Sequence, residues 1–571
     1  MLRVGTLGSM NSAVLGTIGR LLAWTAGITT LMVLPNTSYD PINAPKLLIV
    51  AVGGFAVLGM LITQRKTLLD LSYRPVLIFG VAFFLNLLVV LIVSGTNFNQ
   101  EFFGTFGRST GFVAYASLTF LLLAAALVAD QKTFSKVALA LVLAGGASII
   151  YGILQSLNAD PADWVSQYNP IIGFLGNPNF QSSFVGFNGV LVFALILNTK
   201  YSLVIRFLLF LDLLLSTYVI HATDSQQGFL VLVGGISIVG IAWLRHSRFK
   251  SLSIPAFISG TVGVIFVTLG SLNFGPLANL LYKASVTYRG DYWRAGWKMT
   301  LENPVFGVGL DSYGDWYRRA RTVEATLRRG PEITSNAAHN VLLDFSSNGG
   351  FPLVLIYISM LVLAFISSIK VFRRTQNFNP VFTGLFAVWV AYQAQSIISL
   401  NQLGLAVWGW IISGLLIGYE INTRGDSDLV AIHQAPLKNK SAKSNVQQKV
   451  SAGVLIAMFS GGFVGMGLGV PPVITSSEIV SALKSQDAKL LQEAAFNKPI
   501  NSHLMYQVTE ILAGNKLMSA AIEVSDFSIT EFEDEYNIWK VRSTLEGLDQ
   551  NEIERALREM KRLDPNNPNL K

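Results

Sequence analysis

The chain has 571 residues, 51% of them hydrophobic and only 13% charged, with 42 Lys and Arg against 34 Asp and Glu. Soluble domains carry roughly a quarter of their residues as charges, so this balance and a mean hydropathy of +0.48 exclude an ordinary soluble enzyme and predict a polytopic membrane protein. The absence of cysteine excludes disulfides, thiolate catalysis and Cys-ligated metal, and the net charge of +8 does not call for nucleic acid, because basic residues cluster between apolar segments where topology accounts for them.

Apolar runs long enough to span a bilayer fall near 12–34, 46–63, 75–94, 111–129, 136–157, 179–197, 201–220, 226–244, 254–273, 340–369, 381–399, 402–419 and 451–470. The expected fold is therefore an all-α polytopic membrane protein of about 12 to 13 transmembrane helices. The first run is too long for a signal peptide and lacks a small-residue cleavage site, so it is read as a span. With the N-terminus inside, the inward loops carry Arg65, Lys66 and Arg74; Lys132 and Lys136; Lys200; Arg245, Arg248 and Lys250; Lys370, Arg373 and Arg374; and Lys438, Lys440, Lys443 and Lys449. The short outward loops hold almost no Lys or Arg beyond Lys46 and Arg108, as the positive-inside rule requires.

The long segment 274–338, between the ninth and tenth spans, then lies outside. It holds nine basic residues, Lys283, Arg289, Arg294, Lys298, Arg318, Arg319, Arg321, Arg328 and Arg329, against six acidic ones. Translocating a basic loop opposes the usual bias, and an anionic ligand at the outer face gives a reason for it. For Arg318 to Arg329 the plainer reading is a solvated helix face. Gly104-Thr-Phe-Gly-Arg108-Ser-Thr-Gly111 places one Arg among glycines before a span, where helix N-terminal amides also favour an anion; the alternative is an Arg108 that snorkels to the interface. Gly176-Asn-Pro-Asn179 and Thr223-Asp-Ser225 read mainly as turns with helix caps.

Arg289-Gly-Asp-Tyr-Trp293, Glu302-Asn-Pro304-Val-Phe-Gly307-Val-Gly309, Ala338-His339-Asn340 and Gly349-Gly350 together resemble the signature region of the O-antigen ligase and bacterial O-oligosaccharyltransferase superfamily. Tyr151-Gly-Ile-Leu-Gln155, Gly176-Asn-Pro-Asn179 and Gln395-Ser-Ile-Ile-Ser399-Leu-Asn-Gln402 are similar to its minor motifs. The resemblance covers about residues 12–420. It departs at Ser225-Gln226-Gln227-Gly228, where many relatives have a Ser-Arg-Gly type sequence; Gln226 cannot replace an arginine's charge, which puts a phosphate contact there in doubt.

The resemblance implies a glycosyltransferase of the bacterial cytoplasmic membrane that needs no metal or other cofactor. It would transfer a glycan from a polyprenyl-diphosphate carrier to an acceptor hydroxyl on lipid, glycan or protein at the outer face. A polymerase of lipid-linked repeat units and a protein O-oligosaccharyltransferase need the same donor and sidedness. A transporter or flippase would instead carry polar groups at mid-depth in several spans. Without metal, the cations that stabilise a diphosphate leaving group must come from Arg, whose planar fork fits phosphate oxygens. Arg289 matches the family's catalytic-loop arginine, with Arg294 and Arg108 as further donor contacts. His339 is the natural general base, since an imidazole accepts a proton near neutral pH, and Asn340 orients the site. No Asp/Glu pair stands out as a glycosidase dyad.

The domain reading places a ligase-like membrane body at 1–420 with its catalytic loop at 274–338, a polar cytoplasmic linker at 421–450, a further span at 451–470 and an outward helical tail at 471–571. In the tail, Tyr506, Leu512 and Gly514 recur as Trp539, Leu545 and Gly547, each 33 positions on. This resembles tetratricopeptide hairpins; a plain helical bundle is the alternative. A repeat tail on a flexible link suits a protein partner.

Overall fold

The computed structural model describes residues 11–162, 164, 169–424 and 449–570; most of the expected linker, 425–448, lies outside the described residues. Among those described there are helices and turns but no strand. Each of the thirteen apolar runs forms a helix, and eleven are long and apolar enough to cross a membrane. The other two, Phe112–Val128 and Pro380–Ser396, have 17 residues each and sit almost wholly inside the bundle. A short helix with no lipid-facing side still fits, because its neighbours complete the apolar shell. Leu203–Ala222 and Lys250–Ser271, by contrast, are only 17% and 0% buried within the protein, as expected of helices that present their side chains to lipid rather than to protein.

The polar ends sort into two groups. Tyr73 bonds Asn422, Arg374 donates to the Glu420 carbonyl (2.9 Å), Asn379 donates to Gln131 (3.1 Å) and His246 Nε2 meets the Thr375 carbonyl (3.3 Å), so loops expected to be inward meet at one end. Tyr39 N–H donates to the Ser476 carbonyl (3.0 Å), Asn97 donates to the Glu531 carbonyl (3.0 Å) and Phe106 stacks on His503 (4.6 Å) at the other. The tail thus packs on loops expected to be outward. Lys46, fully buried near that end, donates to the Thr30 (3.0 Å) and Met32 (2.8 Å) carbonyls, so it is satisfied without a carboxylate.

Two backbone features position the site. The helix Val341–Arg374 is broken at Gly350, whose φ of 72° and ψ of −178° are open only to glycine, and Pro352 follows. The freed groups are taken up by the preceding loop: Val308 N–H donates to the Ser347 carbonyl (2.8 Å) and Phe351 N–H to the Pro304 carbonyl (2.8 Å). Gly307 lies so close that a Cβ there would meet the Asn348 carbonyl carbon at 2.3 Å. The Pro304–Gly309 and Gly349-Gly350 motifs are therefore two halves of one contact. This is the setting in which irregular backbone is tolerated at membrane depth.

The final long helix, Ala452–Ser485, lies along Asn43–Thr63 through small residues. A Cβ on Gly461, Gly465 or Gly469 would meet Phe55 O at 2.1 Å, Ala51 O at 2.3 Å or Leu48 Cα at 2.6 Å, the close backbone approach typical of small-residue seams in membranes. The helix continues unbroken into the tail, where Ala488–Phe496, Ser502–Gly514, Met518–Glu531 and Tyr536–Arg542 pack around a core that includes Met505, Val508, Ala521 and Val524, and Gln550–Leu563 packs on Tyr536 and Trp539 through Ala556, Met560 and Leu563. Ser502–Gly514 and Tyr536–Arg542 begin 34 positions apart, and Met518–Glu531 and Gln550–Leu563 begin 32 apart. The expected flexible link is not what is found, because the seam ties the tail's first helix to the bundle. Gly465→Leu is expected to push the two helices apart and lower the midpoint of thermal unfolding in detergent, at an overpacking cost of about 1–3 kcal/mol or more; an unchanged midpoint would contradict the seam.

Candidate active site

The site is built on the loop helix Ala284–Glu302 and the turn that opens Val341–Arg374. Tyr292, Ala295 and Met299 form one face of the first, buried against Val308, Tyr313, Tyr317 and Ala338. Gly296 allows the approach, since a Cβ there would stand 3.3 Å from the Tyr313 ring and 3.5 Å from Ala338 Cβ. Tyr313 in turn donates its hydroxyl to the Tyr292 carbonyl (2.7 Å). An aromatic cluster thus fixes the helix that carries Arg289.

His339 sits in a left-handed backbone conformation, φ 53°, which is costly for a residue with a Cβ and persists only where its surroundings hold it. Three contacts do so. Ala338 N–H donates to Asp344 Oδ1 (2.7 Å), Asn340 Oδ1 accepts from Leu342 (3.0 Å) and Leu343 (3.2 Å) N–H, and the His339 ring stacks on Tyr292 with centroids 5.4 Å apart. Asn340 is thus the N-cap of the helix, and its side-chain oxygen is committed to backbone.

Arg108 lies behind this turn. It is 4% exposed, with Nε 3.2 Å from Asp311 and Nη2 3.9 Å from Asp344, and Nη1 donates to the Asn336 carbonyl. Asp311 also accepts from Thr105 N–H (2.8 Å) and Thr110 N–H (3.2 Å). Arg108 neither snorkels nor faces an open surface. Through these contacts it ties the glycine-rich loop 104–111 to the His339 turn.

Of the nine basic residues in 274–338, seven have carboxylate partners. Asp291 takes Arg294 (3.0 Å) and Arg328 (2.5 Å), Asp564 takes Arg318 (3.0 Å) and Arg321 (2.5 Å), Asp534 takes Arg319 (3.3 Å), and Lys298 and Lys283 lie 3.9 and 4.0 Å from Glu302 and Asp224. Arg318 and Arg321 are buried, which corrects the solvated-face reading for those two, whereas Arg328 is exposed. Arg294 remains exposed. Arg289 and Arg329 have no carboxylate partner among the described residues. Arg289 makes one weak bond, to Ser285 Oγ (3.4 Å), and its buried Nε has no hydrogen-bond partner. Arg329 lies over the Tyr288 ring (4.5 Å) and donates to the Tyr292 hydroxyl.

Sequence reading selected Arg289 and His339 but not Arg329 or Tyr292. The aromatic pair at 288 and 292, one helical turn apart, was the available signal. Burial, and then the positive charges of Arg289, Arg108 and Arg329, push the His339 imidazole down to about 3. It is therefore neutral at physiological pH rather than poised there, and burial also lowers Arg289. Desolvation is the larger cause of both shifts, and for His339 the neighbouring guanidiniums add to it. Among the described residues no three His, Asp or Glu side chains form a group able to hold a metal ion. Asp291, Asp311 and Asp315 stand apart, engaged by Arg294 and Arg328, by Arg108 and by Gln100 (2.6 Å).

Fold and site together define a multi-pass, all-helical membrane protein with a cationic site on a long polar loop. Residues 210–358 match the family model described as O-Antigen ligase, which takes in Arg289, Arg294, Arg329, His339 and Asn340 but neither Arg108 nor the tail. This match supports a ligase or polymerase of the membrane glycosyltransferase kind in general. No curated protein matches the chain.

Because His339 is lower when folded than its ordinary 6.5 when unfolded, the unfolded chain binds the extra proton between those values. Stability present at pH 7 should then decline as pH falls through 6.5 toward 3. In NMR of histidine-labelled protein, the His339 resonance should not titrate near 6.5 without ligand. Pyrophosphate or Arg329→Gln should each move its pKa upward. Titration at 6.5 in ligand-free protein would remove the cationic excess from the site.

Proposed function

We propose that the protein transfers a glycan from a polyprenyl-diphosphate carrier to an acceptor hydroxyl at the outer face of the cytoplasmic membrane. The observation that carries this reading is the pair of uncompensated guanidiniums, Arg289 and Arg329, beside a neutral imidazole on a loop whose other cations are paired. A partly buried cation without an anion is costly, and a diphosphate answers it with the bidentate geometry a guanidinium favours. In this reading Arg289 and Arg329 hold the donor diphosphate, Arg294 adds an exposed contact at the rim, and Asn340 and Arg108 hold the His339 turn.

The acceptor oxygen attacks the anomeric carbon, the bond from that carbon to the diphosphate oxygen breaks, and the hydroxyl proton passes to His339. The polyprenyl diphosphate leaves with the electron pair, stabilised by the arginines. His339 is a weak base while the site is empty, because its burial and, after that, the same cations that bind the donor oppose its protonation. Donor binding cancels that charge and raises the imidazole toward the range in which it accepts a proton. The site thereby becomes basic only when loaded.

His339→Ala should lower turnover by about 100-fold to 10,000-fold while donor binding survives. Arg289→Lys should stay impaired, since it keeps charge but loses the fork. Transfer should persist in a chelator, and full transfer by His339→Ala would reject the mechanism. In cells lacking the protein, loss of attachment with free polymer intact identifies a ligase, single-repeat products a polymerase, and cytoplasmic build-up of donor a flippase.

A further inference from the structure

The tail contributes a fully buried carboxylate to the outer loop. Asp564 is 0% exposed. It accepts from Arg318 Nη1 (3.0 Å), Arg321 Nη2 (2.5 Å) and Arg321 Nε (3.3 Å). Asn566 Nδ2 donates to the Arg321 carbonyl (2.7 Å), and the Arg318 guanidinium covers the Tyr536 ring at 3.9 Å. The Asp-Pro-Asn-Asn stretch that ends the last long helix is thus a docking element as well as a stop signal.

The same two arginines face the other way onto the strand of loop that leads to His339. Arg318 Nη1 and Arg321 Nη2 donate to the Pro331 carbonyl (2.8 and 2.9 Å), and Arg321 Nη1 donates to the Ile333 carbonyl (3.2 Å). Six residues beyond Ile333 comes the strained His339. Two guanidiniums buried to 5% and 2% exposure cannot hold those carbonyls without an anion between them; among the described residues the carboxylate in contact with both is Asp564, from the tail, while Glu332 of the loop acts on them only at longer range.

We propose that Asp564 is a positioning residue for the transfer site, and that the tail completes the catalytic loop rather than hanging from it as an independent adaptor. Asp564 neutralises Arg318 and Arg321, the arginines clip residues 331–333, and that clip, with Arg108 on the Asn336 carbonyl, delivers the His339 turn to Tyr292 and Arg289. Its role in transfer rests on the site proposed above, whereas the clamp itself does not.

Since the chain has no cysteine, one introduced thiol reports one place. Two reporters are made in the full-length protein: Ser335→Cys in the buried loop and Val524→Cys in the buried tail core. Adding Asp564→Asn to each should raise loop labelling about tenfold or more, the change expected when a buried charge-assisted clamp opens, with tail labelling unchanged. In Asp564→Asn alone, kcat should fall by about tenfold to a hundredfold, as for a small misplacement of a reacting group, with the donor KM changed less. Unchanged loop labelling overturns the clamp, whatever the tail reporter does. Opened loop labelling with unchanged kcat overturns the positioning role. A fully active His339→Ala would overturn the proposed function while leaving the labelling result to decide the clamp.

Discussion

A guanidinium removed from water has to be answered by an anion, and that constraint sorts the outer surface of this protein. Desolvating an ion costs several kcal/mol, which a Coulombic partner repays only when the geometry is good. Arg108 meets the requirement through Asp311 and Asp344, and Arg318 and Arg321 through Asp564, while the exposed Arg294 and Arg328 share Asp291. Once these pairs and those of Lys283, Lys298 and Arg319 are drawn, the cations of 274–338 that remain without a carboxylate among the described residues are Arg289 and Arg329, and they adjoin His339. The paired arginines hold the loop together.

The geometry depends equally on a helix that is not continuous. The break at Gly350 leaves backbone groups that Pro304–Gly309 takes up, so the end of the loop is stitched to the start of its own following span. The nine residues before the break then form a short helix, capped by Asn340, whose first turn supplies Asp344 to the Ala338 amide. Held in this way, the His339 backbone stays in a conformation that an unrestrained chain would leave. Burial confines its imidazole, and the neighbouring cations add to the cost of protonating it, so that packing and charge act on it together.

Tail and membrane body are physically one unit at two places. A glycine seam joins Ala452–Ser485 to Asn43–Thr63, and Asp564 closes on the loop from the other end of the tail. Between them, Phe106 on His503 and Asn97 on the Glu531 carbonyl fill the junction. An appendage tethered only by a linker has none of these contacts.

The helical architecture was legible in the amino-acid order because it follows from local quantities: run length, apolarity and the placement of Lys and Arg. Each of the thirteen runs is a helix for that reason, and Arg289 and His339 stood out because their motifs are contiguous. The role of Arg108, the burial of Arg318 and Arg321, the membership of Arg329 in the site and the meaning of Asp564 were not legible. Each depends on which carboxylate arrives from a distant segment, 203 positions away for Arg108 and Asp311 and 243 for Arg321 and Asp564. Identical arginines in one loop differ in function only through such partners, and tertiary packing alone determines which of them is neutralised and which is left to bind.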